Sequence, residues 1–302
     1  MECKNDTQPI VVGIGEMLWD ILPTGRRPGG APANFACHAG RLGAHAFAVS
    51  AVGNDAHGNA LVNALTRSGL DLRYVQRNNR PTGTVTVTLT NGIPSYVIHT
   101  NTAWDNIRAG GLSRLAGAAD AVCFGTLAQR NAVSRKAIGS FLSHVRHDCL
   151  KVFDINLRQN YYSEAVIRRS LAFANILKIN DEELPVTARL LSARGTEASI
   201  VRALMREFDI GICVLTKGSH GGMVYTRNDA VSYTPKHVRV KDTVGAGDSF
   251  TAGFTIGLLR GMAVSEAVAA ANDLAAFVCS QKGAMPKHPA RISALFSPRP
   301  VD

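Results

Sequence analysis

Residues 121–155, AVCFGTLAQRNAVSRKAIGSFLSHVRHDCLKVFDI, contain the pattern that decides the predicted fold. Two short apolar runs, residues 121–124 and 151–155, flank a stretch with helical periodicity over residues 134–145. Short apolar runs that end near Gly, Asp or Asn are typical of strands that are covered on both faces. The unit therefore predicts two parallel strands joined by a helix.

The same alternation continues on both sides of this unit. Further strands are predicted at residues 10–14, 46–52, 176–178 and 210–216, and further helices at residues 33–41, 58–68, 199–207 and 249–260. Alternating strands and helices indicate an α/β protein with a doubly wound, mainly parallel sheet. Because 302 residues is about the upper limit for one α/β core, we expect a single domain over residues 1–302 with a small appendage.

One segment breaks the alternation and predicts that appendage. Residues 82–90, TGTVTVTLT, alternate with period two, and Asn91-Gly92 separates them from a second β-rich run at residues 93–100. Asn-Gly between two such runs is a strong hairpin signal. A Thr-rich face does not belong in a buried sheet, so we predict a separate small sheet, completed by the chain near residues 18–27. Formed by segments of about 16–28 and 82–102, it would act as a lid over a site or pair two copies of the chain.

Composition argues against several classes of protein. Hydrophobic residues make up 46% and charged residues 19%, which is ordinary for a globular chain. The net charge of +10 is scattered rather than gathered in an aromatic-interleaved patch, which favours a phosphate-rich ligand over nucleic acid. Six cysteines without a CxxC pair indicate reduced thiols in a cytosolic protein. The polar N-terminus and the lack of a long apolar run predict a cytoplasmic protein without a membrane span.

The sharpest chemical signal is DTVGAGDSF, residues 242–250, directly before a predicted helix. Small residues at a helix start let backbone N–H groups approach phosphate oxygens. Asp248 would repel a bound phosphate, but it makes sense as a base that accepts a proton from an attacking hydroxyl. The alternative is an ordinary helix N-terminus with an acidic first turn. No Gly-Lys-Ser/Thr follows, so the stretch is not a Walker A loop.

Three weaker signals accompany this turn. The paired glycines 29 and 30 and Asn34 open a helix and suit a polyol ligand, although a tight turn before a helix is the alternative. Asp20 follows the first strand, at the end of the sheet where open α/β proteins bind ligands. Asn180 to Glu183 follow another strand and offer oxygen ligands to magnesium, or simply an acidic helix start.

Together these stretches resemble the ribokinase-like, or PfkB, carbohydrate kinases over about residues 10–289. Residues 29–43, GGAPANFACHAGRLG, and residues 242–250 are similar to the two signatures of that family. EMLWD (16–20), FGTLAQR (124–130) and DINLR (154–158) are more similar to bacterial fructokinases than to ribokinases. The resemblance implies a ribokinase-like fold and transfer of phosphate from ATP to the 6-hydroxyl of D-fructose. 2-Keto-3-deoxygluconate, ribose and nucleosides are the alternative substrates.

The resemblance also implies roles for individual residues. Asp248 would be the catalytic base, with an anion hole at Gly245, Ala246 and Gly247. Sugar contacts are expected at Asp20, Gly30, Asn34, Gln129 and Arg158. ATP contacts, with Mg²⁺ near the first two residues, are expected at Asn180, Glu183, Lys217, Gly218 and Asn272. A loop binding a monovalent cation, K⁺, is expected at Asp242, Val244, Val278, Gln281 and Gly283. Residues 285–289, MPKHP, directly after this loop, depart from the commoner family pattern.

Two functions from other classes are weighed against a kinase. A sugar- or nucleoside-sensing protein on the same fold needs no acidic residue at a phosphate-binding turn. A nicotinamide dehydrogenase would need a third glycine after Gly13 and Gly15, but Leu18 stands in its place. The sequence therefore favours a sugar kinase.

Overall fold

Nine strands form the main sheet of the chain, which a computed structural model describes over residues 8–90 and 93–297. The strands are β1 Ile10–Ile14, β4 His45–Gly53, β5 Val75–Asn78, β8 Ala121–Phe124, β9 Leu150–Asp154, β10 Ile176–Asn180, β11 Ile212–Thr216, β12 Gly222–Thr226 and β13 Ala230–Tyr233. Their spatial order is β13-β12-β11-β10-β9-β8-β1-β4-β5. All neighbours from β5 to β11 pair in parallel, and only β12 and β13 pair antiparallel. The predicted doubly wound, mainly parallel sheet is confirmed.

Helices cover the main sheet and leave its central strands largely buried on both faces. They are α1 Ala31–Arg41, α2 Ala56–Arg67, α3 Ser113–Ala118, α4 Ala132–Ser143, α5 Glu164–Phe173, α6 Glu183–Leu190, α7 Glu197–Glu207, α8 Ala246–Leu259, α9 Val264–Cys279 and α10 Ala290–Ser293. Val11 packs into one hydrophobic cluster, whereas Val12 and Ile14 pack into another, because successive strand side chains point to opposite faces. None of the helices in the described part of the chain is both long and apolar enough to span a bilayer.

Three of the helices that begin two residues earlier than the periodicity predicts have a capped first turn. Each start is fixed by a polar side chain that accepts a hydrogen bond from an otherwise free N–H group of the first turn. Asp55 caps α2, Asn131 caps α4 and Thr196 caps α7. The apolar pattern cannot show these first residues because they are held by capping rather than by burial.

A second, smaller sheet confirms the predicted appendage. It consists of β2 Leu18–Leu22, β3 Gly25–Gly29, β6 Gly83–Thr90 and β7 Ile93–Ile98, in the order β3-β2-β6-β7. β6 and β7 pair antiparallel, and β2 joins β6 in parallel, so the segment near residues 18–27 completes the sheet as expected. The predicted Asn91-Gly92 turn lies outside the described residues.

Candidate active site

The start of α8 lies close to the segment that follows α9. Gly245 caps the helix with φ of 80°, a conformation that favours glycine. A β-carbon at Gly245 would lie 2.6 Å from the carbonyl oxygen of Ala284, so no larger residue fits without movement. The Ala246 N–H donates to Thr243 O at 3.2 Å, which leaves Gly247 and Asp248 as the residues whose N–H groups have no partner within the helix. This turn can hold an anion.

Asp248 lies in the first turn of α8 and contacts α1. Asn34 Nδ2 donates to Asp248 Oδ2 at 2.7 Å. Burial raises the pKa of Asp248 to about 6, with Asp154 contributing, whereas Asn34, Lys178 and Arg158 lower it. The carboxylate is therefore charged at neutral pH and able to accept a proton.

A buried ion pair that the sequence analysis missed lies beside this turn. Lys178 Nζ is 3.1 Å from Asp154 Oδ1, and a β-carbon on Gly247 would lie 3.4 Å from the same Nζ. Burial alone would lower the pKa of Lys178, but Asp154, Glu183 and Asp248 outweigh it and raise the pKa above its ordinary value. A permanent positive charge thus lies next to the anion-binding turn. The available signal was a lysine inside the apolar strand ILKIN.

Glu16 is a second buried ionisable group that the sequence analysis did not assign. It is 2% exposed, and its Oε2 has no hydrogen-bond partner in the described part of the chain. The pKa of Glu16 is raised to about 7, chiefly by burial and also by the charge of Asp248, against the lowering effects of backbone hydrogen bonds and Arg158. Gly30, with φ of 113°, packs directly on Glu16, because a β-carbon there would lie 2.3 Å from Glu16 O.

Three of the expected sugar residues lie close to Asp248 or change its pKa. Besides Asn34, these are Gly30, at the start of the same helix, and Arg158, whose charge lowers the pKa of Asp248. Arg158 also lowers the pKa of Asp20, which burial raises to about 6. The same guanidinium therefore acts on both carboxyl groups, and the structure brings these four residues together with Asp248.

Gln129 does not join them. It is 3% exposed, and its Nε2 donates to Gly125 O at 2.9 Å and to Ser170 Oγ at 2.8 Å. Ser170 belongs to α5, so the amide ties the loop after β8 to that helix. In this structure Gln129 has a structural role, and its predicted sugar contact stays a prediction.

Asn180 and Glu183 form a closed hydrogen-bonded unit at the end of β10. Glu183 accepts from Asn180 N at 2.9 Å through Oε2 and from Leu157 N at 3.0 Å through Oε1. Asn180 Oδ1 in turn accepts from Glu183 N at 2.7 Å. Both carboxylate oxygens accept hydrogen bonds from backbone N–H groups, so Glu183 orders the strand ends beside Lys178. The expected magnesium contact of Asn180 and Glu183 stays a prediction. The described residues hold no cluster of three or more acidic, His or Cys side chains that could bind a metal.

The other expected nucleotide residues lie further along the same edge of the sheet. Lys217 follows β11, the neighbour of β10, and its Nζ lies 2.6 Å from Glu197 Oε1. Gly218 is exposed and has φ of 53°. Asn272 Nδ2 donates to Thr234 O at 2.8 Å and so fixes the segment that follows β13.

The expected cation loop already carries a positive partner. Arg27 Nη1 lies 2.7 Å from Asp242 Oδ2, and Arg27 belongs to β3 of the small sheet. The same carboxylate accepts from Gly283 N at 3.0 Å and from Val244 N at 3.1 Å. Val278 O accepts from Gln281 N at 2.9 Å. The five residues do lie together, but with Arg27 in place Asp242 has no uncompensated charge for K⁺, so the structure does not fit the expected site.

Further contacts fix the small sheet to the main body. Trp19 Nε1 of β2 donates to His57 O at 3.0 Å in α2. Arg130 Nη2 donates to His99 O at 2.7 Å, directly after β7. Together with the Arg27 ion pair, these bonds hold the small sheet beside the α1 and α8 N-termini.

Comparisons with known proteins agree with this arrangement. The pattern of the pfkB family of carbohydrate kinases matches residues 16–291. A fructokinase of Escherichia coli is 28% identical over 305 residues, which cover 92% of this chain and 95% of that protein. An uncharacterized sugar kinase of Pyrococcus horikoshii is 27% identical over 296 residues, 91% of each chain.

Solved structures give the same result. The Pyrococcus protein in complex with ATP is 25% identical with a TM-score of 0.82, covering 95% of this chain and all of that one. A fructokinase of Vibrio cholerae with bound fructose, ADP and calcium is 25% identical with a TM-score of 0.81, covering 97% of this chain and 100% of that one. Since the family pattern extends over most of the sequence, the chain belongs to the pfkB family of carbohydrate kinases and is a sugar kinase with the ribokinase-like fold.

Proposed function

We propose that the chain transfers the γ-phosphoryl group of ATP to the 6-hydroxyl of D-fructose, with Asp248 as the base. The observation that carries the proposal is the 2.7 Å hydrogen bond between Asn34 and Asp248, which joins the expected sugar-binding helix to the anion-binding turn. The fructokinase relatives support fructose, and the ATP complex of the Pyrococcus kinase supports ATP.

In the proposed reaction Asp248 takes the proton of the attacking hydroxyl. The sugar oxygen forms a bond to the γ-phosphorus while the bond to the ADP oxygen breaks in line with it. The N–H groups of Gly247 and Asp248 and the charge of Lys178 stabilise the transferred group. Asp20, Asn34 and Arg158 orient the sugar, so that most of the rate enhancement comes from position and charge.

Magnesium enters this proposal together with ATP. When bound to the nucleotide phosphates, Mg²⁺ neutralises their negative charge. Glu183 and Asn180 support that site from below by ordering the end of β10, next to Lys178. K⁺ competes with Arg27 in this proposal, because a single carboxylate, Asp242, serves both.

The small sheet is proposed to close over the sugar and to exclude water, which would limit wasteful hydrolysis of ATP. Its strands β2 and β3 carry Asp20 and Arg27, so movement of the sheet changes the site directly. Hydrogen exchange of residues 82–90 and 93–98 should slow when sugar binds; unchanged exchange at saturating sugar would contradict a lid.

Tyr96 and Val97 are about half exposed, at 53% and 49%, and support pairing of two copies through this sheet as a second role.

A sugar panel with ADP release as readout tests the proposed substrate. The panel contains fructose, 2-keto-3-deoxygluconate, ribose and nucleosides, and NMR of the product identifies the phosphorylated oxygen. We expect the highest kcat/KM with fructose and phosphate on the 6-oxygen. A clear preference for another sugar would reject fructose but leave the kinase in place, whereas ADP release that no sugar stimulates would favour a sensing protein.

A further inference from the structure

Two histidines, one fully buried and one partly buried, form a hydrogen-bonded pair behind the anion-binding turn. His38 lies on α1 and is fully buried, and His288 lies in the segment 285–289 that follows Ala284. His38 Nδ1 is 2.8 Å from His288 Nε2, and the two rings are nearly parallel, at 11°, with centroids 5.1 Å apart. His38 Nε2 is 2.8 Å from the carbonyl oxygen of Ala284.

These contacts fix the position of every proton in the pair. A carbonyl oxygen only accepts, so His38 Nε2 carries a hydrogen and donates it to Ala284. Burial, His288 and Arg41 lower the pKa of His38 to about 3, so the ring is neutral and its Nδ1 is an acceptor. His288 must then donate through Nε2, which leaves its Nδ1 unprotonated; this atom is buried and has no partner among the described residues. The hydrogen bonds therefore form one directed series, in which His288 donates to His38 and His38 donates to Ala284.

This series of hydrogen bonds ends at the turn that is proposed to hold the transferred phosphoryl group. Ala284 packs so closely on Gly245 that its Cα, Cβ and O would all lie within 2.7 Å of a β-carbon there. His38 lies one helical turn after Asn34, on the same face of α1. One face of α1 therefore reaches α8 twice, through Asn34 to Asp248 and through His38 and Ala284 to Gly245.

Other contacts hold the same segment but not the same atom. Arg41 Nη1 donates to Met285 O and to Pro286 O, each at 2.7 Å. Phe277 of α9 meets the His288 ring edge to face, with centroids 6.3 Å apart. The segment would thus stay attached to α1 without His38, but the Ala284 carbonyl would lose its donor.

We propose that His38 and His288 are positioning residues of phosphoryl transfer, which hold Ala284 against Gly245 and so set the direction of the anion-binding N–H groups. The inference rests on the proposed anion hole and extends it to two side chains that touch neither the sugar nor ATP. Because this positioning affects the transfer step, loss of the His38–Ala284 hydrogen bond should lower kcat and leave the KM values for sugar and ATP within about twofold of wild type. A misplacement of about 1 Å at such a site costs up to about 10² in rate.

The test compares two replacements of similar size at one position. His38→Gln retains a donor at the reach of Nε2, whereas His38→Leu does not. We expect His38→Leu to lower kcat at least about tenfold and His38→Gln to retain most of it, measured with the best sugar of the panel. At position 288, kcat should again be higher for His288→Gln than for His288→Leu. The difference should be smaller than at position 38, since His38 still reaches Ala284 in both variants.

His45 provides the matched control. It bonds Asp71 Oδ2 at 3.2 Å at the start of β4, the end of the strand opposite the site. His45→Leu and His45→Gln should both have wild-type kcat. Equal kcat for the Leu and Gln variants at 38 would overturn the proposal, whether both were fast or both slow; if His38→Leu does not fold, equal values for the pair at 288 overturn it. A wild-type enzyme that no sugar stimulates would instead reject the proposed function.

Discussion

Asp248 carries its charge among groups that act on its pKa in opposite directions. Burial and Asp154 raise the pKa, and the result of about 6 is possible only because Asn34, Lys178 and Arg158 lower it again. A base of this pKa is deprotonated at neutral pH but still basic enough to take a proton. Activity should therefore fall as the pH is lowered through about 6, where Asp248 is protonated.

Asn34→Ala tests both functions of the amide. It removes a hydrogen bond that stabilises the charged form of Asp248, so the acid limb of the pH profile of kcat/KM should move to higher pH. Asn34 is also the proposed sugar partner, worth about 1–3 kcal/mol when buried, so KM for sugar should rise far more than KM for ATP. The control Asn131→Ala, which removes the cap of α4, should change neither the acid limb of the pH profile nor the KM values. An acid limb at the wild-type pH, or equal effects on both KM values, would contradict the assignment.

Single residues were predicted where their chemistry departs from their surroundings. Asp248 in a glycine turn and Asn34 at a helix start could be identified from sequence, but their contact could not, because 214 positions separate them. Lys178 was missed because one charged residue within an apolar strand leaves the periodicity unchanged. The sequence could not show that the Gln129 amide bonds Gly125 and Ser170 in this structure, because it does not reveal to which side a loop side chain turns.

At the scale of elements, one ion pair joins the small sheet to the phosphate-binding region. Arg27 on β3 reaches Asp242, which precedes the turn of Gly245 to Gly247. The pair is partly exposed, so its contribution to stability is small, roughly 0–1 kcal/mol. Its effect on function is larger in our account, because it supplies the positive charge that K⁺ would otherwise bring to Asp242.

Arg27→Gln should make the rate depend on the cation. In the wild type we expect similar kcat in K⁺, Na⁺ and choline salts, because Arg27 compensates Asp242. In the variant the carboxylate is uncompensated, and kcat should be restored at least partly by K⁺ but not by choline. Arg26→Gln is the matched control, since Arg26 stacks on Trp19, 4.6 Å from the ring centre, instead of pairing with Asp242. Strong activation of the wild type by K⁺ would show that the cation displaces Arg27.

Elements were predicted where apolar periodicity determines them. The buried parallel strands and the hairpin of β6 and β7 follow from alternation in the sequence. β12 and β13 were not predicted as strands. β13 lies at the edge of the sheet, where exposed positions interrupt the apolar pattern, and β12 beside it is a five-residue strand that begins with glycine. α9 was missed because it is rich in alanine and buried on several sides, so it shows little polar alternation.

For the whole molecule, the pair of His38, which is buried, and His288, which is partly buried, makes stability depend on pH. Burial and neighbouring charges lower the pKa of His38 to about 3 and burial and Arg41 lower that of His288 to about 4, whereas an unfolded histidine titrates near 6.5. Between about pH 6.5 and 4 the unfolded chain therefore binds more protons than the folded one, and these groups destabilise the fold as the pH falls.

His288→Leu should reduce this dependence. The decrease in Tm from pH 7 to pH 5 should be smaller in the variant than in the wild type, because one of the two depressed histidines is absent. Asp20, Glu16 and Asp248 have raised pKa values and act in the opposite direction, but they are present in both proteins. Thermal unfolding followed by circular dichroism measures the difference, with His45→Leu as control. The same slope in wild type and variant would contradict the burial of neutral His288.

The order of strands in the main sheet could not be predicted from the sequence. The alternation of elements predicts a doubly wound sheet, but it does not state that β1 lies between β4 and β8. That order brings the ends of β1, β9 and β10 to one edge, where Glu16, Asp154, Lys178 and the start of α8 meet. The site is therefore a property of the whole topology, although its most informative residues lie in one short motif.

The central claim is that Asp248 takes the proton of the sugar hydroxyl during transfer from ATP. The most direct measurement is the rate of ADP release by the wild type and by Asp248→Asn, with and without the best sugar, together with ATP binding by fluorescence titration. We predict sugar-dependent ADP release by the wild type, a kcat at least about 10² lower in the variant, and nearly unchanged affinity for ATP. Near-wild-type turnover by Asp248→Asn, with ATP binding intact, would contradict the claim.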